Sequence, residues 1–440
     1  MQLSVSADTF QEFGSHAMLM TSYLSEPIAA SLVLFTLPVV TELAVLTLAS
    51  LLPKRTRVQL AAAEPLNLAV VIPAHNEELL IGTCIESLRV SAGGDNTRII
   101  AVAHNCSDRT AARAAEAGAE VLLYNDLLAK GKGRALSAGF AYASAQGMDA
   151  TLVVDADSTV SSNLIGVVRR AISNGAEAVQ CRYEMDSSSK RRAARLTALA
   201  FRGFNVVRST GRDRLGISAG ILGNGFAVRQ ALLAQNSYNS LSVVEDLEFH
   251  IRLVLSGKRV QFLEDAKVSS ALPSSKKGEA TQRSRWEGGR ANAARTWFVP
   301  LLKQLARGRP RMLEPLLELT CLPIGYAVFL ILVAGCFPLL WLRIYALVAL
   351  AVIGGHVLAA AWSGTDFAGD MLILVRAPGY ILWKLCMIPS LLRGSRPEAA
   401  WVRTERHGVA QEISLETAGD SMPPPAIEHA LRMTSSLEIS

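Results

Sequence analysis

Long hydrophobic runs lie toward both ends of the chain. Residues 27–52 carry a single charge, Glu42, residues 319–342 carry none, and residues 344–362 hold one histidine, His356. At about 1.5 Å of rise per residue, a helix of roughly 20 residues crosses the hydrocarbon core of a bilayer. We therefore predict three transmembrane helices over these ranges.

Basic residues flank these runs on one side. No Lys or Arg precedes the first run, Lys54 follows it closely, and Lys303 and three arginines precede the second run. Because Lys and Arg favour the cytoplasmic side, we expect residues 1–26 to be extracytoplasmic. The pattern predicts a multi-pass protein of the cell inner (plasma) membrane whose middle part is cytoplasmic.

Three other features of these regions are less simple. Residues 367–393 are apolar but contain Arg376 and Lys384, which predicts an interfacial helix, with a further span as the alternative. Glu42 either marks a substrate or lipid path, or is a protonated or partnered carboxylate that holds helices together. The polar tail, 407–440, contains three consecutive prolines and is predicted to be a disordered cytoplasmic segment.

The middle of the chain, residues 66–275, alternates short apolar runs with helical patterns. The runs are 68–72, 98–103, 120–124 and 151–154. Continuously apolar strands separated by helices are typical of a parallel sheet covered on both faces. We expect an α/β domain with a mostly parallel central sheet, flanked by transmembrane helices, with ligands bound beyond the carboxyl ends of the strands.

Composition excludes several classes of protein. Half of the 440 residues are hydrophobic and 19% are charged, which excludes an intrinsically disordered chain. The six cysteines form no CxxC pair, so a zinc ribbon or disulfide framework is not expected. The net charge of +6 is modest, and no Arg-rich tract is present, which argues against nucleic-acid binding.

Short polar side chains follow the first two predicted strands. Pro73 and Glu77 come after the first strand, and Asn105 and Asp108 come after the second. Groups of this kind at neighbouring strand ends suit a nucleobase and its ribose. Because Asn and Asp also cap helices, a capping role is the alternative for Asp108.

A basic, glycine-containing turn precedes the third helix. Residues 130–134 are Lys, Gly, Lys, Gly and Arg, with Lys132 at the centre. Glycine lets the backbone approach a ligand, a helix N-terminus favours anions, and lysine adds positive charge. We expect a diphosphate here, and a solvated basic turn is the alternative.

Two carboxylates, Asp155 and Asp157, follow the fourth strand. Alternation along an extended segment puts both on the same side. Two convergent carboxylates suit a hard divalent cation, Mg²⁺ or Mn²⁺, which would neutralise a diphosphate.

Three later motifs complete an ordered set. They are Gly223-Asn224-Gly225, Glu245-Asp246 and Gln282-x-x-Arg285-Trp286. Together with the separated Asp motifs, they make roughly residues 66–300 strongly resemble glycosyltransferase family 2, the inverting GT-A enzymes. The resemblance is to the membrane-embedded branch that includes cellulose, chitin and hyaluronan synthases and ceramide glucosyltransferases.

The resemblance implies roles on the donor side of a nucleotide-sugar site. Asp155 would bind both the nucleotide and, together with Asp157, the metal ion. The other implied contacts to the nucleotide sugar are Pro73, Glu77, Asn105, Asp108 and Lys132.

The resemblance also implies catalytic and acceptor roles. Asp246, with Glu245 beside it, would take the proton from an acceptor hydroxyl that attacks the anomeric carbon and inverts it from α to β. The turn 223–225 would line the acceptor pocket. Within 276–312, a segment expected to include interface helices, Gln282, Arg285 and Trp286 would close over donor and acceptor.

One residue and one segment depart from the family pattern. His104 stands where many relatives have an acidic residue. Residues 401–406 only faintly resemble segments that contact the donor in relatives.

Two other classes of protein fit parts of this pattern. A nucleotidyltransferase shares the sheet, the basic turn and the carboxylates, but has no use for Glu245-Asp246 or the Gln282 motif. A non-catalytic membrane assembly or transport protein would be expected to have lost one of Asp155, Asp157 or Asp246, and all three are present.

The expected activity is transfer from a nucleotide sugar, a UDP-sugar in the leading hypothesis, to a polysaccharide or lipid acceptor near membrane lipids. Three or four spans are few for a polymer channel. The sequence therefore leaves two products open: a polymer made with a partner subunit or as a homo-oligomer, or a single sugar added to a lipid.

Overall fold

The computed structural model of the chain describes residues 7–54, 66–94, 96–126, 131–186, 192–238, 242, 244–271 and 276–386. Five subjects of the sequence predictions lie wholly or partly outside these residues. They are residues 1–6 of the predicted extracytoplasmic segment, Lys130 of the basic turn, residues 387–393 of the predicted interfacial helix, the segment 401–406 and the tail 407–440.

A mainly parallel eight-stranded sheet forms the middle of the chain, as the sequence predicted. Its strands are β1 (Leu68–Ala74), β2 (Arg98–His104), β3 (Glu120–Tyr124), β4 (Ala150–Val153), β5 (Ser158–Val160), β6 (Ala178–Met185), β7 (Phe226–Arg229) and β8 (Val260–Ser270). The spatial order is β3-β2-β1-β4-β7-β6-β8-β5. Strand β7 is antiparallel to both neighbours and β5 is antiparallel to β8, while the other pairs are parallel.

Helices cover both faces of this sheet and continue beyond it. The helices are α1 (Ala7–Ser50), α2 (Ile81–Ala92), α3 (Thr110–Glu116), α4 (Lys132–Ala145), α5 (Leu164–Ser173), α6 (Arg192–Arg202), α7 (Ser209–Leu215), α8 (Gln230–Gln235), α9 (Glu245–Leu255), α10 (Lys276–Ala306), α11 (Leu313–Thr320), α12 (Ile324–Cys336), α13 (Leu340–Trp362), α14 (Phe367–Ile373) and α15 (Ala377–Cys386). A π-helical turn, Gly203–Arg208, and two 3₁₀ turns, Pro310–Met312 and Leu374–Arg376, complete them.

Alternate residues of the central strand β1 pack into two separate cores. Val70 and Ile72 contact the core that includes α2 and α5, while Ala69 and Val71 contact the core that includes α4 and α9. This explains why β1 is apolar at every position rather than at every second one.

The sequence predicted that β1 ends before Pro73, but the strand continues to Ala74. Val154 N–H donates to the Val71 carbonyl, so Val71 faces β4, and Pro73, two residues later, faces the same side. Because β4 pairs with β1 only as far as Val71, no ladder hydrogen bond is lost at Pro73. The imino acid is therefore tolerated inside the strand.

Among the described residues, two helices are long and apolar enough to cross a membrane. They are Glu26–Ser50 within α1 and Leu340–Trp362, which is α13. The sequence predicted one transmembrane helix over residues 319–342, but the structure has a break within this segment. Pro310–Thr320 meets Ile324–Cys336 at an angle of 80°, and Pro323 at the break disfavours helical backbone in the residue before it.

A long helix of the middle domain, residues 192–215, contacts α1, α13 and α14. It consists of α6, the π-helical turn and α7 without interruption, and we call it the arginine helix. Near its start, Arg195 Nε lies 3.2 Å and Arg202 Nη1 2.7 Å from carboxylate oxygens of Asp370 in α14. Asp370 and Arg202 are both buried.

The end of the arginine helix enters a group of buried charges, which we call the buried charge cluster. Glu42 of α1 accepts a hydrogen bond from Arg208, and Arg212 Nη2 lies 3.2 Å from Glu42 Oε1. Arg212 also lies 3.3 Å from Glu314 and forms an ion pair with Glu318, both of α11. Glu42 is therefore a partnered carboxylate that joins helices, one of the two alternatives left open by the sequence.

The arginine helix touches α1 directly at a glycine. A Cβ atom at Gly211 would lie 2.2 Å from the Leu46 carbonyl oxygen. Only a residue without a side chain allows this approach, so Gly211 sets the distance between α7 and α1.

We expect Gly211→Ala to lower the temperature of thermal unfolding in detergent, because the added methyl group must push α7 away from α1. Overpacking of this kind costs about 1–3 kcal/mol, more than the roughly 1 kcal/mol by which Ala exceeds Gly in helix propensity. Gly166→Ala in α5 is the matched control, since no atom lies within 4 Å of its added methyl group. A Gly211→Ala variant that unfolds at or above the temperature of this control would contradict the packing described.

Candidate active site

The loops that follow β1 and β2 are held by asparagine side chains. Asn76 and Asn105 have positive φ angles of 56° and 51°, a conformation that Asn tolerates better than most residues. Asn76 Oδ1 accepts a hydrogen bond from Ser107 N–H at 2.8 Å. The Asn105 amide donates to the Asp126 carbonyl and accepts from the Asp126 N–H, both at 2.8 Å. The Asn105 side chain therefore shapes its loop in this structure.

Asp108 binds the start of α3 and the loop after β1. Its Oδ1 accepts from Thr110 N–H at 3.0 Å and from the Thr110 hydroxyl at 2.5 Å, and its Oδ2 accepts from Glu78 N–H at 3.3 Å. Burial raises the pKa of Asp108, but these hydrogen bonds outweigh it and hold the pKa below the usual value. This geometry matches the capping alternative. Glu77 is half-buried beside it, with its N–H donating to Thr110 Oγ1 at 2.7 Å.

His104, which departs from the family pattern, is buried at the end of β2. Its ring centroid lies 5.1 Å from that of Tyr124 at the end of β3. The carbonyl oxygen of His104 lies 2.8 Å from Nδ1 of His75. The residue therefore packs between neighbouring strand ends.

Lys132, at the start of α4, connects two of the predicted motifs. Its ammonium group forms an ion pair with Asp155 and donates to the Gly223 carbonyl at 2.6 Å. Gly131 before it has a φ of 124°, a conformation that favours glycine. The structure thus brings the basic turn, the first carboxylate after β4 and the Gly223 turn together.

The buried side chain of Asn224 organises the turn from inside. Its Oδ1 accepts from Asp155 N–H at 3.1 Å, and its Nδ2 donates to Ser158 at 2.9 Å and Ser270 at 3.2 Å. Gln180 of β6 donates to the Asn224 carbonyl at 2.7 Å and accepts from Leu222 N–H at 2.9 Å. The Asn224 amide is thus committed to the protein interior.

The acidic pair Glu245-Asp246 begins α9 and meets the same turn. Asp246 Oδ1 accepts from Leu247 N–H at 2.9 Å. Gly223 has a φ of 76°, and a Cβ atom there would lie 2.9 Å from Asp246 Oδ2. The Asp246 carboxylate therefore lies against Gly223, whose carbonyl oxygen binds Lys132. Gly225 is equally constrained, with a φ of 68° and Val268 2.8 Å from its missing Cβ.

Both members of this pair hold their protons more tightly than usual. Burial, followed by repulsion from Asp246, raises the pKa of Glu245 to about 7. Burial also raises the pKa of Asp246, although the Lys132 charge opposes the effect. A carboxylate with a raised pKa is a stronger base near neutral pH, which suits proton abstraction from a hydroxyl.

The Gln282 motif lies on α10. Burial lowers the pKa of Arg285, and the charges of Glu245, Asp155 and Asp246 oppose this shift, which places its guanidinium in their field. Trp286 is 37% exposed, and its ring centroid lies 6.2 Å from that of Phe201 on the arginine helix. Gln282 is buried. The motif therefore brings one cation, Arg285, into the field of the acidic residues and leaves one aromatic side chain, Trp286, partly exposed.

The residues after β4 fit a divalent cation in the chemistry of their donors. No group of three or more His, Cys, Asp or Glu side chains in the described part of the chain could hold a metal ion. Mg²⁺ does not need one, because it is usually held by one or two carboxylates together with substrate phosphates and water. Asp155 and Asp157 are half-buried carboxylates two residues apart, and the Lys132 ammonium on Asp155 shows that positive charge is stabilised there.

The sequence analysis did not identify the buried polar residues that hold the turn 222–225 in place. Gln180 is completely buried in β6, and its four hydrogen bonds bind both the turn 222–225 and its own strand. The sequence did contain a sign of this role, because Gln180 is a polar residue among the apolar residues that begin β6. Ser158 and Ser270, whose hydroxyls lie 2.7 Å apart, gave no comparable signal.

We expect Glu245→Gln to become more stable relative to the wild type as the pH rises. The folded protein holds the Glu245 proton up to a pKa of about 7, whereas the unfolded chain releases it near the usual value. The wild type therefore loses stability between these two pKa values as the pH rises, and a neutral Gln does not. When unfolding temperatures are measured from about pH 5 to about pH 8, the value for Glu245→Gln should rise relative to that of the wild type as the pH increases.

The control for this titration is Glu116→Gln, which removes an exposed carboxylate of α3 that pairs with Arg109 and Arg113. If the difference between this variant and the wild type also grew with pH, the effect would not be specific to Glu245. A Glu245→Gln difference that is flat or shrinks with rising pH would show that Glu245 titrates normally.

Relatives of known name match the middle of the chain. Probable glycosyltransferase YdaM of Bacillus subtilis (strain 168) is 28% identical over 231 residues, which cover 50% of this chain and 54% of that protein. Glucomannan 4-beta-mannosyltransferase 7 of Arabidopsis thaliana is 37% identical over 65 residues, 15% of this chain and 12% of that protein. The chain thus spans about half the length of the bacterial relative.

A solved structure shares the fold over most of the chain. Mannosyltransferase PcManGT from Pyrobaculum calidifontis, in complex with GDP-Man and Mn²⁺, superimposes with a TM-score of 0.51 at 17% identity. The match covers 84% of this chain and 97% of that one. At this identity the likeness is one of fold, and it agrees with the GT-A architecture predicted for the sheet.

A sequence profile of the family described as “Glycosyltransferase like family 2” matches residues 65–289, which include the sheet and each of the motifs discussed above. The match covers more than half of the 440 residues. The chain therefore belongs to the glycosyltransferase-like family 2.

Proposed function

We propose that the protein is a membrane-bound inverting glycosyltransferase, which moves a sugar from a nucleotide sugar, with a UDP-sugar as the leading candidate, to a polysaccharide or lipid acceptor. One observation carries this proposal. Gly223 separates two groups of opposite chemistry: its carbonyl oxygen binds Lys132, which pairs with Asp155, and its α-carbon lies against the Asp246 carboxylate. Lys132, proposed to bind the diphosphate, and Asp246, proposed to act as base, therefore both contact Gly223.

The donor side of the proposed site is the carboxyl edge of the parallel strands. Pro73 and Glu77 after β1, and Asn105 and Asp108 after β2, form the rim on which the nucleoside would lie. Because the Asn105 and Asp108 side chains already bind the protein, we assign them to shaping that rim. We assign the direct nucleotide contact to Glu77.

The diphosphate would lie between Lys132 and Asp155. The Lys132 ammonium would leave Asp155 for the phosphate oxygens, since a phosphate offers more negative charge than one carboxylate. Asp155 and Asp157 would hold a Mg²⁺ or Mn²⁺ ion, which when bound supplies positive charge to the leaving diphosphate. Arg285 would add a further positive charge from α10.

Asp246 would act as the general base. Its carboxylate would accept the proton of an acceptor hydroxyl as that oxygen attacks the anomeric carbon, while the bond to the diphosphate breaks. Attack opposite the leaving group inverts the sugar from α to β. Glu245, whose pKa is raised to about 7, would be partly protonated beside the base at neutral pH, which limits the local negative charge.

The acceptor would approach over the Gly223-Asn224-Gly225 turn. The backbone of this turn and the partly exposed face of Trp286 would contact the acceptor, since an indole face suits a sugar ring. The candidate spans α1 and α13 support placement at the cytoplasmic face of a membrane, where both nucleotide sugars and membrane-borne acceptors are available.

The experiment that tests this function measures release of nucleoside diphosphate by the full chain in nanodiscs. It uses a panel of UDP- and GDP-sugars, a membrane lipid extract, and Mg²⁺ or Mn²⁺. We expect one donor to be turned over, with Asp246→Asn lowering kcat by about 10²-fold or more, because general-base catalysis contributes about 10²–10⁴-fold. The size of the labelled product separates a polymer from a glycolipid.

Glu116→Gln serves as the control for the loss of one carboxylate far from the site, and it should keep the wild-type rate. Turnover that is equal in Asp246→Asn and the wild type would remove Asp246 from the role of base. Absence of turnover with every donor would count against the proposed reaction.

A further inference from the structure

Four exposed cations lie at and after the end of α10. They are Lys303, Arg307, Arg309 and Arg311, and we call the segment 303–311 the cationic turn. Within the part of the chain that the structure describes, no ion pair or side-chain hydrogen bond involves any of the four. Gly308, with a φ of 81°, reverses the chain between them.

This arrangement differs from that of the arginine helix. There, Arg195 and Arg202 pair with Asp370, and Arg208 and Arg212 pair with Glu42. Those arginines stabilise contacts inside the protein. The cations of the cationic turn contribute no such contact, so the fold does not account for their charge.

No carboxylate neutralises the cationic turn along the chain. Residues 288–313 contain six Lys or Arg residues and no Asp or Glu. The next acidic residues, Glu314 and Glu318, are buried and lie against Arg212 in the buried charge cluster. The positive charge of the cationic turn is therefore left exposed at the surface of the protein.

An exposed apolar stripe precedes the cationic turn on the same helix. Phe298, Val299 and Leu302 are 40%, 51% and 44% exposed and lie on adjacent helical positions. The opposite side of α10 is already buried, because Leu301 and Trp297 pack on α11 and α9. The end of α10 is thus apolar on two sides, which is unfavourable at a surface in contact with water alone.

We propose that the cationic turn and the apolar stripe together bind anionic phospholipids. The four cations would contact lipid phosphates, and Phe298, Val299 and Leu302 would enter the boundary between head groups and acyl chains. The proposal rests on the membrane placement in the proposed function and goes beyond it, since it states which class of lipid the protein selects.

The test measures lipid selectivity of the full chain in mild detergent. The protein is mixed with micelles that contain equal amounts of phosphatidylglycerol and phosphatidylcholine, and the lipids retained after size-exclusion chromatography are quantified by mass spectrometry. We expect the wild type to retain phosphatidylglycerol over phosphatidylcholine by about fivefold or more, falling to within about twofold of parity in K303Q/R307Q/R309Q/R311Q.

A matched control removes four exposed positive charges elsewhere. The variant R89Q/R109Q/R113Q/R170Q changes exposed arginines at α2, α3 and α5, and it should keep the wild-type lipid ratio. An equal loss of selectivity in the control, or an unchanged ratio in the cationic-turn variant, would overturn the proposal.

A second pair of measurements separates a lipid from free phosphate. Phe298→Ser together with Leu302→Ser should lower retention of phosphatidylglycerol if acyl chains contact the stripe. If this double variant retains as much phosphatidylglycerol as the wild type, and inorganic phosphate displaces the lipid, the turn binds phosphate rather than a lipid surface and the proposal fails.

Extraction with alkaline carbonate distinguishes failure of this proposal from failure of the membrane placement. A chain that leaves the membrane in carbonate contradicts the membrane placement and, with it, the lipid surface. A chain that stays in the membrane while the cationic-turn variant keeps its lipid selectivity contradicts the lipid surface alone. Neither readout depends on turnover of a nucleotide sugar.

Discussion

The pairing of buried arginines with carboxylates from distant helices is the interaction on which the arrangement of this protein depends. A buried charge is costly unless a partner and hydrogen bonds compensate it, and loss of one partner is more damaging than absence of both. Glu42 of α1 and Glu318 of α11 must therefore both reach the arginine helix. His250 extends this contact toward the site, because it lies on α9, 2.9 Å from Ser218 and 3.7 Å from Glu314.

The charges of the candidate site differ from those of the buried charge cluster, because they are not fully paired. Around Gly223, the acidic pair Glu245-Asp246 is incompletely compensated, and burial raises the pKa of both carboxyl groups. Positive φ angles at Gly223 and Gly225 hold the turn close to Asp246 and Val268. Local features that reduce stability are expected where a protein binds and transforms a ligand. A set of buried ion pairs along the arginine helix thus accompanies a candidate site whose charges are only partly paired.

Local rules predicted much of this structure, because strand ends and apolar periodicity are properties of short segments. They placed β3 at 120–124 as observed, and they singled out Lys132 and Asp155 before the structure showed their ion pair. They could not pair Arg208 or Arg212 with remote carboxylates, since in the sequence either arginine resembles an ordinary surface residue. They could not decide between a capping role and a ligand contact for Asp108, because capping and ligand binding use the same polar side chains.

The anomeric configuration of the product tests the proposed role of Asp246 as base, because attack by an activated hydroxyl opposite the leaving diphosphate inverts the sugar. Proton NMR of the first product formed from an α-linked nucleotide sugar would report this configuration before any spontaneous change. We expect a β-linked product. An α-linked product would contradict the proposed role of Asp246, since an acceptor hydroxyl that attacks from the side opposite the diphosphate cannot retain the α configuration.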